Sequence, residues 1–412
     1  MISGLDGAAA KPPLLQVGIA SDADAACPSS ILGGGMSRLR PPLERDHLVR
    51  VTFCTWSRRV PAWLTAVAVI TVAAVPAAAV PTAGPGFSRA RDLVVFARVR
   101  SFSELVTVPI SGAPKHRVAQ GAHGTTISSD SWSPDGRTIV FAFASNDGRG
   151  LLTVPGRGGA VRRLTWRASY YDEAPAWSPD GRWIAFVREV GPRSVAVFAG
   201  RPDGSGLHRI SAYVQAIGGL SWSPDSRRLL VTVQLRGAGT NYGAICDRVE
   251  ILRLGGSARL VHGGVCGGSA AWSPDGRRIA FIYNAARGTG RNALVVENSD
   301  GSGERVLVRR NASGPSWSPD GTRIAFSWYT RGAAGVTTIG ADGRGLRVLT
   351  HDTDYSDAPK SWSPDGRWIL FERQDAIEDF DSDVLLIHPD GTGAHVIARD
   401  VQYSSAIWRP RR

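Results

Sequence analysis

Trp177-Ser178-Pro179-Asp180-Gly181-Arg182-Trp183-Ile184-Ala185-Phe186-Val187 reads as the end of one strand, a tight turn and the body of a second strand. Ser opens the turn, Pro presets φ at the next position, and Gly takes the left-handed place after Asp, as in a hairpin built on a type I turn. The residues that follow are β-formers. The same Trp-Ser-Pro-Asp run begins at Trp132, Trp177, Trp222, Trp272, Trp317 and Trp362, and a worn copy, Trp408-Arg409-Pro410, ends the chain. The spacings are 45, 45, 50, 45 and 45 residues, then 46 to the worn copy. A period of that length means one supersecondary unit stacked repeatedly. In one copy Ser226 replaces Gly, so a left-handed non-glycine residue is expected there at a cost of roughly 1 kcal/mol.

Each unit reads as four strands. In the second full copy the third strand runs from Ser194 to Phe198 and the fourth from Leu207 to Ser211, around a turn at Asp203-Gly204-Ser205-Gly206. The landmark of the second strand recurs at Phe96, Phe141, Phe186, Val231, Phe281, Phe326 and Phe371. The first of these has no Trp-Ser-Pro strand before it, and the last Trp-containing strand, ending at Trp408, has no strand after it. The two ends complete one unit. The expected fold is therefore all-β, a seven-bladed β-propeller of four-stranded blades closed by the termini, with a six-bladed ring as the alternative. Radial repetition of this kind leaves few exposed sheet edges. The recurring Trp132, Trp177, Trp222, Trp272, Trp317, Trp362 and Trp408 are expected to pack blade against blade.

These motifs resemble a known family. The Trp-Ser-Pro-Asp-Gly turn, the Ile-Ala-Phe strand after it and the Leu-Thr ending of the outer strand at Leu164-Thr165 and Leu349-Thr350 are similar to the TolB-type propeller repeat, a relative of the WD repeat. The resemblance spans about residues 92 to 410. It implies the propeller fold and an envelope setting, but the family also includes peptidase regulatory domains and lyases, so fold alone does not assign function. TolB itself carries an α/β domain ahead of a six-bladed ring. Here about ten residues lie between the apolar leader and the first strand, which leaves no room for that domain.

The leader points to export. No charge occurs between Arg59 and Arg89, the apolar core from Ala62 to Val75 has the length of a secretory h-region, and Ala77-Ala78-Ala79 offers a cleavage site. Residues 57–79 are thus expected to be a signal peptide or signal anchor, 80–91 a linker, and 92–412 the propeller. Residues 1–56, rich in Gly, Ala and Pro, read as disordered or as an over-called start. The expected location is extracytoplasmic: periplasmic, cell-surface or secreted. Cys246 and Cys266 fall in the one 50-residue unit. If strands Arg248 to Leu254 and Ala258 to His262 form a hairpin about Gly255-Gly256-Ser257, the two cysteines oppose one another. A structural disulfide suits an oxidising compartment.

Function is expected in loops on a rigid scaffold. The blade-to-blade crossings at Tyr170-Tyr171-Asp172-Glu173 and Asp352-Thr353-Asp354-Tyr355-Ser356-Asp357 are aromatic and acidic, and the only clear insertion, about Leu235 to Ala244, carries Tyr242. The candidate binding residues are Tyr170, Tyr171, Asp172, Glu173, Tyr242, Asp354, Tyr355, Asp357 and Tyr403. Arg137, Arg182, Arg227, Arg277 and Arg367 follow the hairpin turns and should ring the opposite face of a chain whose net charge is +12. The chain has no Gly-x-Ser-x-Gly elbow, CxxC, HExxH or phosphate-binding loop. His123, His262 and His351 are the histidines assigned to crossing loops. The expectation is a non-enzymatic, monomeric scaffold for another envelope protein or a cell-wall glycan. It needs no cofactor or metal, binds no nucleic acid, and touches the membrane only through an uncleaved leader. The alternative is a channel-mouth lyase or hydrolase acting on saccharides.

Overall fold

The computed structural model describes residues 92–99, 102–122, 124–166, 169–191, 194–234, 248–263, 265–283, 292–330, 333–352, 354–375, 382–401 and 406–410. Among the described residues there are seven four-stranded antiparallel sheets and no helix. In chain order they span 92–120 together with Ile407–Trp408, then 126–163, 171–209, 216–263, 265–308, 312–348 and 355–401. In the first sheet the last strand of the chain pairs with the first, Leu93 opposite Trp408 and Val94 opposite Ile407. This is a propeller of four-stranded blades.

The hairpin turn has the expected chemistry in all six full copies. Ser Oγ donates to the Asp carboxylate two residues on, at 2.5–2.6 Å for Ser133, Ser178, Ser223, Ser273, Ser318 and Ser363. The residue after the glycine position donates its backbone N–H to the same carboxylate, as Arg182 does to Asp180 at 3.0 Å. In the fifth sheet the Ser273 hydroxyl, opposed by slight burial and helped by the Arg277 N–H, holds the Asp275 carboxyl below its ordinary value. Ser226 adopts φ 58°, as its position requires. Its hydroxyl is put to use, because the Asp180 backbone N–H of the neighbouring sheet donates to Ser226 Oγ at 2.9 Å. A glycine there has no such acceptor.

The sheets meet through the repeated tryptophans. The Trp222, Trp272, Trp317, Trp362 and Trp408 indoles each donate to a carbonyl of the preceding sheet, at Ala176, Ser221, Ala271, Ser316 and Ser361. The second-strand landmarks Phe141, Phe186, Phe281, Phe326 and Phe371 are fully buried. Trp177 also packs between sheets, against Val140, Ala142 and Leu151 of the second and Phe186 of its own, but less completely. It is half-buried, and its indole N–H, like that of Trp132, has no acceptor. The terminal copy bridges in both directions: Trp408 packs with Leu370, Leu386 and Ile397 of the seventh sheet, and Arg409 Nε donates to Gly136 O of the second at 2.8 Å.

Several expected boundaries shift. The inner strands start earlier than expected, at Tyr171 and Tyr355, so residues assigned to crossing loops are strand residues held against the second strand. The outer strand of the third sheet is only His208–Arg209, supplemented by a bridge between Val195 and Val214. The hairpin argument for the cysteines also needs correction. Leu252 opposes Ala258, and beyond an irregularity Val249 opposes His262, a register one to two residues from the one assumed. Cys266 lies instead in Val265–Trp272, the inner strand of the next sheet. Cys246, the Cys266 side chain, Tyr242, Tyr403, His123 and the leader at 57–79 lie outside the described residues. Among the described residues no helix is long and apolar enough to cross a membrane.

Candidate functional site

The rim at which the inner strands begin carries two assemblies of the same design. In the third sheet Asp172 opposes Arg188 across the first two strands. The guanidinium grips the carboxylate in a fork, Nε to Oδ1 at 2.7 Å and Nη2 to Oδ2 at 2.8 Å. Thr165 Oγ1 adds a hydrogen bond to Oδ2 at 2.6 Å, while accepting the Leu151 N–H from the second sheet. The Arg188 guanidinium lies 5.5 Å from the Tyr170 ring and 4.8 Å from that of Phe198. In the seventh sheet Asp357 opposes Arg373, with fork distances of 2.8 Å and 2.8 Å, and the guanidinium lies 5.2 Å from the Tyr355 ring. Its hydrogen bonds to Asp357, against the cost of burial, raise the Arg373 pKa further.

These pairs stand where other sheets place apolar partners. Ile127 opposes Phe143, Ile217 opposes Val233, and Ala312 opposes Trp328. A buried ion pair in place of an apolar pair is seldom a gain in stability. What it adds here is a charged surface behind an aromatic ring, which fixes the ring's orientation. Arg188 and Arg373 were not among the residues singled out from sequence. The signal was present: both stand two residues after the landmark Phe and 16 residues after an Asp, in the only two units where a Tyr stands two residues before that Asp.

The structure thus sorts the expected binding residues. Asp172 and Asp357 are 3% and 1% exposed, and their carboxylates are turned into the sheets. Their expected role as loop ligands is corrected to that of internal anchors. Tyr170, Tyr171, Glu173, Asp354 and Tyr355 reach the surface wholly or in part. The Tyr171 hydroxyl lies 3.2 Å from Ser128 Oγ of the second sheet, with the Arg149 guanidinium 5.9 Å from its ring. Asp354 donates its backbone N–H to Asp352 Oδ1 at 3.0 Å, in an Asx turn ahead of Tyr355. The two assemblies belong to the third and seventh sheets, which are not neighbours.

Burial, then repulsion from Glu189, pushes the Glu173 carboxyl above its ordinary value of 4.5. An acid whose folded pKa is raised binds protons more tightly when folded, so stability falls as pH rises from 4.5 through the folded value. Glu173→Gln is therefore expected to raise the melting temperature at pH 7 by about 1–3 °C, and to leave it unchanged at pH 4. Thermal unfolding at the two pH values checks this.

Of the three histidines assigned to crossing loops, the two among the described residues are placed at different sheets. His262 lies in an outer strand, packed on Phe281 and Tyr283, with Nε2 3.5 Å from Glu304. His351 lines a cleft of about 140 Å³ with Trp328, Thr350 and Asp352, beside the sixth sheet. Among the described residues no group of three or more His, Cys, Asp or Glu is placed to hold a metal ion. On the opposite rim Arg137, Arg182, Arg227, Arg277 and Arg367 are exposed, as expected.

Sheet architecture and repeat chemistry define a β-propeller of the TolB class. The chain belongs to the TolB beta propeller domain family, whose model matches residues 174–412. No curated protein matches the sequence. Among solved structures it is similar to oligogalacturonate lyase from Vibrio parahaemolyticus, with 14% identity over 77% of this chain and 87% of that one and a TM-score of 0.55. A puromycin-hydrolyzing peptidase of Mycobacterium tuberculosis gives 14% identity over 78% of this chain and 56% of that one, also at TM-score 0.55. TolB from Acinetobacter baumannii gives 14% identity, 77% and 83% coverage, and a TM-score of 0.48. Identities this low speak for fold alone.

Proposed function

We propose that the protein is an exported, non-enzymatic scaffold that binds another envelope protein or a cell-wall glycan through the rim where the inner strands begin. The observation that carries this reading is the pair of Tyr-Arg-Asp assemblies at Tyr170 and Tyr355, each an aromatic ring backed by a guanidinium that is buried in the first and partly buried in the second. Such rings offer a flat apolar face with a polar edge, suited to a sugar or a peptide backbone. Glu173 and Asp354 add acceptors beside them. The proposal includes a ring of seven blades closed by the termini. Its support is the pairing of Val94 with Ile407, and the contacts of Trp408 and Arg409 with the seventh and second sheets. A six-bladed reading would leave the strands at 92–120 without that role. Export rests on the apolar leader at 57–79 and fits an extracytoplasmic place of action.

The test is affinity capture from the producing cell's envelope fraction, with the tagged full chain as bait beside a Tyr170→Ala, Tyr355→Ala double variant. A partner held by the first and lost by the second, with both baits melting alike, is the expected outcome. Identical captured sets would remove the rim from consideration.

A further inference from the structure

Two clefts between neighbouring sheets are built from the same positions of the repeat but carry different charge. The first, about 560 Å³ between the second and third sheets, is lined by Thr138, Thr153, Pro155, Arg162 and Asp203, among others. The second, about 520 Å³ between the fourth and fifth sheets, is lined at the corresponding positions by Arg228, Ile251, Arg253, Arg259 and Asp300. Thr138 and Arg228 each stand six residues after their Trp-Ser-Pro tryptophan. Arg162 opposes Thr153 just as Arg259 opposes Ile251. The first cleft thus carries two arginines, Arg162 and Arg163, and the second three, of which Arg259 matches Arg162 in the repeat while Arg228 and Arg253 stand where the first cleft has Thr138 and Pro155.

The three guanidinia are held differently. Arg259 donates Nη1 to Asp300 O at 2.9 Å and Nη2 to Ser299 O, which fixes it across the sheet boundary. Arg228 lies 4.7 Å from the Trp272 ring and donates Nη2 to Asp225 Oδ2 at 3.1 Å. Arg253 is exposed and makes no ion pair among the described residues. The nearby acids are Asp300, which lines the cleft, and Asp225, already engaged by Arg228. Two of the three guanidinia are thus preorganised, and the third is available to close on a ligand. The remaining lining residues, Ser257, Ala258 and Ser299, are small, and among the described residues none of the lining is an aromatic that could stack on a sugar.

We propose that this cleft binds a phosphate group, either free or as an ester on a larger molecule. Planar guanidinium forks match phosphate oxygens, and a multiply charged anion gains most from several fixed cations. The site lies away from the Tyr170 and Tyr355 assemblies and does not depend on the rim reading.

Titration calorimetry of the full chain at low ionic strength tests it, with inorganic phosphate, glycerol 3-phosphate and glucuronate as separate probes. Saturable binding of a phosphate probe is expected, weakened at least tenfold by Arg253→Glu and weakened again in 0.5 M salt. Arg162→Glu, at the matching place in the other cleft, should leave the affinity within twofold. Tighter binding of glycerol 3-phosphate than of inorganic phosphate assigns an ester as the natural source, and the reverse assigns free phosphate. Arg253→Gln carries the same readout where the charge reversal melts early. The proposal falls if neither phosphate probe binds, if glucuronate binds as tightly as they do, if Arg253 variants bind as the parent does, or if Arg162→Glu loses as much.

Discussion

Replacing Asp172 with Ala is expected to destabilise the protein by about 3–5 kcal/mol, because it leaves the Arg188 guanidinium buried without its counter-charge. The pair is nearly sealed, with side-chain exposures of 7% and 4%, and the fork is bidentate. The loss also leaves Thr165 Oγ1 without its acceptor at the seam between the second and third sheets. The equivalent Asp357→Ala should cost less, since the Arg373 side chain is 26% exposed and water can replace part of the lost contact. A sharper form of the same argument uses the repeat itself. Asp172→Ile combined with Arg188→Phe installs the pair found at Ile127 and Phe143, and should recover most of the stability lost by Asp172→Ala. If the ion pair instead positions Tyr170 for binding, the double variant will be stable yet captured partners will weaken. Thermal unfolding of the three variants, read beside capture, separates a structural role from a positioning one.

The fold was legible because its grammar repeats. Ser178, Pro179, Asp180 and Gly181 each have a local task that sequence states directly, and six copies in phase leave little freedom for another architecture. Ser226 was legible too, as a left-handed residue, although its bond from the Asp180 N–H was not, since that bond joins two sheets. The site was harder to read. Asp172 and Tyr171 are adjacent in sequence, so a loop reading gave them one role. Strand alternation turns one side chain into the sheet and leaves the other at the surface. That outcome depends on where the strand starts, and strand starts depend on pairing with Arg188 and Glu189. The register assumed for the cysteines was off for a related reason: the hairpin closes one residue earlier than Gly255-Gly256-Ser257, with the Arg253 N–H donating to Ser257 O, and a two-glycine turn does not announce which of its residues is central.

Trp317→Ala should cost about 3–5 kcal/mol, the range for removing a large aromatic from a packed core. Its ring is 7% exposed and lies in one cluster with Ala280, Ile282 and Leu294 of the fifth sheet and with Ile324, Phe326 and Ile339 of its own. The indole N–H donates to Ala271 O at 3.2 Å, and the Arg278 guanidinium lies 4.8 Å from the ring. One substitution therefore empties a seam between sheets, frees a carbonyl and removes the face that Arg278 covers. Trp177 provides the matched control. It occupies the same repeat position but is half-buried with no acceptor for its N–H, so Trp177→Ala should cost clearly less than Trp317→Ala. The ordering matters more than either value. Were the tryptophans merely local strand residues, the two substitutions would cost the same, whereas a role in joining sheets makes the loss track the contacts each ring makes across the seam. Thermal or urea unfolding of both variants decides between these accounts, and equal losses would refute the seam argument.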